Sequence, residues 1–381
     1  TGILSNFTQN IMYYTPMGPW GGQASGAYIF RPSTPNQSPT PFSTVFDATS
    51  LVGPVCSEVR QVISTQHSMF QTVRVCRGQP YFEIVSGLGP VNPGSTGLEV
   101  IMRMTSDVPS DGVWFTDSEG LELQERLRNR HANYPHVVTE PVASNFYPCN
   151  VYTLINSTGS NKSLAVIADY SRATASLSDG ELEFLVLRRL LYDDNRGVAQ
   201  PLNENIRLLS TSRVMLNDAN VVASSRHQSI IHTHPPLIRF GVRSSVSWSN
   251  DLVTPLPRNV QLHSRQQIAD GVFLVRLAHV YAAGEGPLAV PVSIPLRDVL
   301  PPTLQVEFVV EADINGVQTL QASNAQRMTF SVCDSSTGVA REGPGKISSS
   351  IAPYSSNSNT TIVLHPMDIR TFAVQGSWNE Q

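Results

Sequence analysis

Apolar and polar side chains alternate with a period of two along much of this chain, and that pattern limits the fold more than any other feature. It runs through QTVRVCRGQPYFEIVSGLGP (71–90), LEVIMRMTSD (98–107), GVWFTD (112–117), ELEFLVLRRLL (181–191), GVFLVRLAHVY (271–281), LQVEFVV (304–310) and TTIVLH (360–365). Alternation turns every second side chain to one face, which is how a strand lines a core. Short strands with turn signals about every 8 to 12 residues argue for sandwiches. The 27 prolines in 381 residues supply such signals. DING (313–316) reads as a hairpin turn, with Asn315-Gly316 tolerating positive φ. EGLELQERLRNRH (119–131) carries Leu121, Glu125 and Arg128 at helical spacing, but Leu121 and Leu123 also alternate, and a strand is the preferred reading.

The length allows two domains or one large all-β unit with a smaller companion. SNDLVTPLPR (249–258) places two prolines ahead of a new strand run and predicts the boundary, giving units 1–250 and 251–381. The Ser-, Gly- and Pro-rich stretch 334–359 predicts a long exposed loop. Charged residues make up 15%, against about 25% in ordinary soluble domains. With a net charge of −4 and no basic stripe, a nucleic-acid partner is disfavoured. No apolar run reaches the roughly 18 residues of a membrane span.

Four cysteines, Cys56, Cys76, Cys149 and Cys333, allow three full pairings or four buried thiols. Cys56 and Cys76 flank a candidate hairpin and are the first pair to expect. N-x-S/T acceptors at Asn6, Asn36, Asn156, Asn161 and Asn359 lean toward a vacuolar, lysosomal or secreted protein. The chain opens at Thr1 with no initiator Met and no signal peptide, as a processed polypeptide would.

HTH (232–234) would place His232 and His234 on one face of a strand, a way to present two metal ligands. Two prolines follow and no acid lies nearby to orient an imidazole, so plain strand histidines are the reading. Asp193 and Asp194, in RRLLYDDNRGVAQPLNEN (188–205), invite comparison with a glycosidase pair. Such a pair flanks one bond with carboxyls about 5 to 9 Å apart. Neighbouring residues diverge, so a turn shaped by Asp193, Asp194 and Gly197 is expected instead. Arg196 then projects a planar fork from a sharp backbone, where it binds polar ligand edges or pairs with Asp193 or Asp194. No G-x-S-x-G, phosphate loop or H-E-x-x-H is present.

Several blocks in order are more specific than any one: QASGAYIFRP (23–32), GVWFTDSEGLELQER (112–126), TEPVASNFYPCN (139–150), SLSDGELEFLVLRRLLYDDNRGVAQPLNE (176–204), LPRNVQL (256–262), FLVRLAHVYAAGE (273–285) and MDIRTFAV (367–374). Together they resemble the C-terminal half of class II α-mannosidases of the lysosomal and vacuolar type, glycoside hydrolase family 38. DYSRATASL (169–177) departs from the family's glycine-rich block, and VASNFYP from its commoner VAGNYYP, which touches loop geometry only.

The resemblance implies an all-β chain, a large antiparallel β-supersandwich followed by a smaller terminal β-sandwich. It also implies that nucleophile, general acid and zinc ligands belong to an N-terminal catalytic subunit, so no catalytic residue or metal ligand is expected here. Zinc, the cofactor, would be bound by that partner. The chain would be the light subunit of a heterodimer acting on mannose-terminated oligosaccharides, with room for a higher oligomer. The tyrosine of SGAY and the arginine of DD-x-RG, here Tyr28 and Arg196, would bind the sugar. The rivals are a stand-alone carbohydrate-binding β-sandwich, with Trp20, Trp114 or Trp248 exposed to stack on sugars, and a mutarotase-like enzyme, for which no His/Glu pair is visible.

Overall fold

The computed structural model describes residues 6–42, 47–131, 134–135, 137–157, 159–235, 238, 240, 255–328, 331–333, 340–342 and 360–378. The chain divides into two compact units, Thr1–Pro236 and Leu237–Gln381. The expected boundary at 250/251 lies outside the described residues.

The first unit contains β1 (Thr8–Tyr14), β2 (Thr40–Pro41), β3 (Asp47–Val52), β4 (Cys56–Ser64), β5 (Met69–Cys76), β6 (Phe82–Leu88), β7 (Gly97–Thr105), β8 (Val113–Ser118), β9 (Glu122–Leu127), β10 (Tyr147–Cys149), β11 (Tyr152–Asn156), β12 (Ser163–Ala168), β13 (Arg172–Ala175), β14 (Glu181–Leu190) and β15 (Leu208–Leu216), then helix α1 (Val221–Thr233). A six-stranded sheet runs β10-β13-β14-β7-β1-β2, and a nine-stranded sheet runs β3-β4-β5-β6-β15-β12-β11-β8-β9. The pairs are antiparallel. Their inner faces enclose one core, with Val100, Met102, Met104, Leu182 and Phe184 from the first sheet against Ile84, Leu164, Val166 and Val214 from the second. Residues 122–127 are therefore a strand, and the 71–90 hairpin is β5-β6.

The other face of the six-stranded sheet is not open. Tyr14, Ile101 and Leu185 pack there with Val142, Phe30 and Phe146 from the connecting segments. A bulge between Leu185 and Leu187 resets the phase of β14. Uninterrupted alternation from Leu182, Phe184 and Val186 would turn Arg188 into the core. After the bulge Leu187 sits in the core opposite Val100, and Arg188 reaches outward opposite Glu99.

The HTH reading is corrected. His232 lies in the last turn of α1 and His234 caps it. Residues two apart on a helix face different directions, so the two imidazoles share no strand face. The helix was concealed because its buried positions Val221, Ser225, Arg226 and Ser229 are mostly polar. Its Arg226 is fully buried and donates from Nε to Tyr152 Oη at 2.8 Å.

Cys56 and Cys76 are register partners on β4-β5 and form a disulfide. Cys149 is a free, buried thiol, and the side chain of Cys333 lies outside the described residues. Burial, then the Asp117 carboxylate, push the Cys149 thiol well above its ordinary pKa.

The second unit contains β16 (Val260–Ala269), β17 (Val272–His279), β18 (Val292–Pro295), β19 (Leu304–Ala312), α2 (Leu320–Gln326), β20 (Ser331–Cys333), β21 (Ala340–Glu342), β22 (Thr361–Leu364) and β23 (Ile369–Trp378). A sheet β16-β17-β23-β19 and the pair β18-β22 share a core of Val275, Leu277, Phe372, Val374, Ile294 and Ile362. The DING turn exists, with Gly316 at φ 75°, but it leads from β19 through a single bridge at Thr319 into α2 rather than into a second strand. Most of 334–359 lies outside the described residues, and its Ala340–Glu342 pairs with β20.

Candidate functional site

Two loops of the first unit meet beside the ends of β1, β7 and β14. One is the segment after β1 that carries Trp20, Gln23 and Tyr28; the other follows β14 and carries Tyr192, Asp194 and Arg196. Ser25 anchors the first. Its Oγ donates to buried Glu99 at 2.6 Å, and Arg188 grips the same carboxylate through Nε at 2.6 Å while donating to the Ile29 carbonyl at 2.8 Å. Burial disfavours the Arg188 charge, but Glu99 outweighs it and holds the guanidinium pKa above its usual range.

Asp194 fastens the two loops together. It is 1% exposed. Its Oδ2 accepts from the backbone N–H of Tyr28 at 2.7 Å and of Ile29 at 3.1 Å, and its Oδ1 from that of Arg196 at 3.1 Å. Gly26 lies against it so closely that a Cβ there would stand 2.6 Å from the Asp194 backbone nitrogen. Among the described residues Asp193 accepts only from the Asn195 N–H, at 2.8 Å, in a local turn. Asn195 at φ 58° and Gly197 at φ 117° give the backbone its sharp course. Gly197 needs that φ rather than space, since nothing lies within 4 Å of where its Cβ would be.

The clasp leaves two polar side chains outward. Tyr28 is 64% exposed, and among the described residues its hydroxyl has no hydrogen-bond partner. Arg196 is exposed and spends one N–H on Gln23 Oε1, while Gln23 Nε2 donates to the Asp194 carbonyl at 2.7 Å. Among the described residues Arg196 has no ion pair with Asp193 or Asp194; its backbone N–H donates to Asp194 Oδ1. The arrangement presents donors and an acceptor to a polar ligand. It offers no acid–base pair, because the Asp194 oxygens are occupied and enclosed. Among the described residues no three His, Cys, Asp or Glu converge on a metal position. Trp114 is fully buried, in edge contact with Tyr147, which removes it from any sugar-stacking surface; Trp248 lies outside the described residues.

Residues 8–196 match the Glycosyl hydrolases family 38 C-terminal domain. Residues 8–196 carry the C-terminal domain of glycoside hydrolase family 38. The family 38 match takes in both loops of the clasp, from Tyr28 to Arg196. The lysosomal alpha-mannosidase of Homo sapiens is 34% identical over 376 residues, 94% of this chain and 35% of that protein. That of Dictyostelium discoideum is 29% identical over 394 residues, 98% of this chain and 38% of the relative. The solved structure of an alpha-mannosidase from Enterococcus faecalis V583 superposes with a TM-score of 0.62 at 11% identity, over 97% of this chain and 38% of that one, and so shares its fold. The chain thus spans between about a third and two-fifths of the length of its family 38 relatives.

Sequence reasoning missed a charged array on the face of the six-stranded sheet that lies away from the Leu182 and Phe184 core. Arg103 donates from Nε to buried Glu183 at 2.7 Å, lies 3.4 Å from Glu181, and Tyr14 Oη donates to Glu183 at 2.9 Å. Burial, only partly opposed by Arg103, raises Glu181 to about 7. Burial likewise raises Glu183, and burial followed by the Glu183 charge raises the Tyr14 phenol. The signal was the E-x-E of β14, on the strand face opposite Leu182 and Phe184.

Proposed function

We propose that this chain is the light, C-terminal subunit of a retaining, zinc-dependent exo-α-mannosidase acting on mannose-terminated N-glycan-type oligosaccharides. The observation that carries the reading is the clasp: in a chain that matches the C-terminal part of α-mannosidases, one buried carboxylate, Asp194, holds Tyr28 and Arg196 outward together. In this reading an N-terminal catalytic portion, from the same precursor, holds the zinc and the acid. Its aspartate displaces the leaving sugar and forms a mannosyl ester that water then hydrolyses. Tyr28 donates its free hydroxyl to a sugar hydroxyl, and Arg196 uses its remaining N–H groups on the sugar or on a carboxylate of the partner. Asp193, Asp194 and Gly197 shape the loop that aims them. The sequons Asn6, Asn36, Asn156 and Asn161 are exposed and open to glycosylation, as a lysosomal, vacuolar or secreted enzyme requires; Asn359 lies outside the described residues.

Kinetics of the intact assembly test the roles. Arg196→Ala should lower kcat/KM for an α-mannoside at least about tenfold, about 1.4 kcal/mol, with Tyr28→Phe lowering it less. Unchanged kinetics for both would confine the two residues to structure.

A further inference from the structure

We infer that Trp20 is a stacking platform for the sugar next to the cleaved mannose, so that this chain selects oligosaccharides over small mannosides. This rests on the α-mannosidase reading above and extends it to a residue outside the SGAY and DD-x-RG motifs. Trp20 is 72% exposed, yet its ring is fixed on several sides. It sits in a 3₁₀ turn, Pro19–Gly21, begun by a proline. It lies over Gly18, where a Cβ would stand 2.9 Å from the indole. Tyr192 meets it edge-on, with ring centroids 5.2 Å apart and planes at 78°. A large apolar ring held rigid in water is a preformed binding surface, because little side-chain entropy is lost when a ligand covers it.

Its position says what the ligand is. The two loops are joined at three successive places: Trp20 on Tyr192, Gln23 on the Asp194 carbonyl and Arg196, and the Tyr28 backbone on the Asp194 carboxylate. Along the first loop Trp20 and Tyr28 therefore stand on either side of Gln23, the residue that holds Arg196. Tyr192 is two residues from Asp194, at most about 7 Å of chain, roughly the reach of one further ring. A pyranose has an apolar C–H face for an indole and hydroxyl edges for a planar donor such as Arg196, which Gln23 holds in place. A neighbouring sugar of the same oligosaccharide satisfies both at once.

The test uses the intact assembly and compares kcat/KM for methyl α-mannoside with that for α-mannose-terminated oligosaccharides of two to four sugars. Trp20→Ala should lower the ratio of oligosaccharide to methyl mannoside at least about tenfold, through KM, and Trp20→Phe should keep most of it. An unchanged ratio overturns the proposal, whether both substrates suffer equally or neither does. So does release of this chain from the assembly on gel filtration, which would make Trp20 an interface anchor. A wild-type assembly that turns over the oligosaccharides with an unchanged Trp20→Ala ratio leaves the α-mannosidase reading standing. One that hydrolyses neither substrate sinks both.

Discussion

Asp194 and Asp193 are neighbours with opposite fates. Asp194 receives three backbone N–H groups in a buried place, and Asp193 receives one in a local turn. Asp194→Asn turns an N–H₂ toward donors that need an acceptor, and should cost about 1–3 kcal/mol of stability, with a fall in kcat/KM as Tyr28 and Arg196 lose their aim. Asp193→Asn should stay within about 0.5 kcal/mol by thermal melting. Equal effects at the two positions would contradict the clasp. The sequence made the pair visible and marked it as a turn, but hid that one carboxylate fastens a loop some 166 residues away in the chain. That partnership is tertiary, set by where the loops after β1 and β14 emerge.

Glu181 gives a second residue-scale test, in pH. Its carboxyl ordinarily titrates at 4.5 and here at about 7, chiefly through burial. Between those values the folded chain binds the proton more tightly than the unfolded chain. The resulting stabilisation is complete below about pH 4.5 and is lost as pH rises through about 7. Glu183, raised in the same direction, adds to the trend. Glu181→Gln, which mimics the protonated form, should melt closer to the same temperature at pH 5 and pH 7.5 than the wild type does. A wild type that gains stability from pH 5 to 7.5, with the variant parallel to it, would refute the assignment.

Strands were legible, and the two α-helices among the described residues were not. The β7, β14, β17 and β19 strands announce themselves because each has a buried face of Val, Leu, Met, Ile or Phe. α1 buries Ser225, Arg226 and Ser229, so its period of 3.6 is written in polar residues. The bulge in β14 was equally silent, since an extra residue in an apolar run changes no composition. The hairpin β4-β5 tests an element directly. Its disulfide closes a loop over a sequence separation of 20, so Cys56→Ser with Cys76→Ser should destabilise it by up to about 3 kcal/mol. Hydrogen exchange should show the loss in β3, β4 and β5 before the rest of the nine-stranded sheet. Unchanged protection there would mean that strand pairing alone holds the ribbon.

At the scale of the whole molecule, the chain covers only part of its relatives' length, and its described residues bring together neither a metal set nor an acid–base pair at the clasp. It does present an exposed edge of Trp20, Tyr28 and Arg196 on a rigid sandwich. Such an edge completes a pocket better than it makes one, and in the proposed function the other wall belongs to the catalytic portion. The most direct measurement is native purification of the chain from its source, with peptide identification of what accompanies it and α-mannosidase assay of each fraction. The account predicts that an N-terminal α-mannosidase segment travels with it and that activity follows the two together. A chain that purifies alone, or that hydrolyses α-mannosides without such a segment, would contradict it.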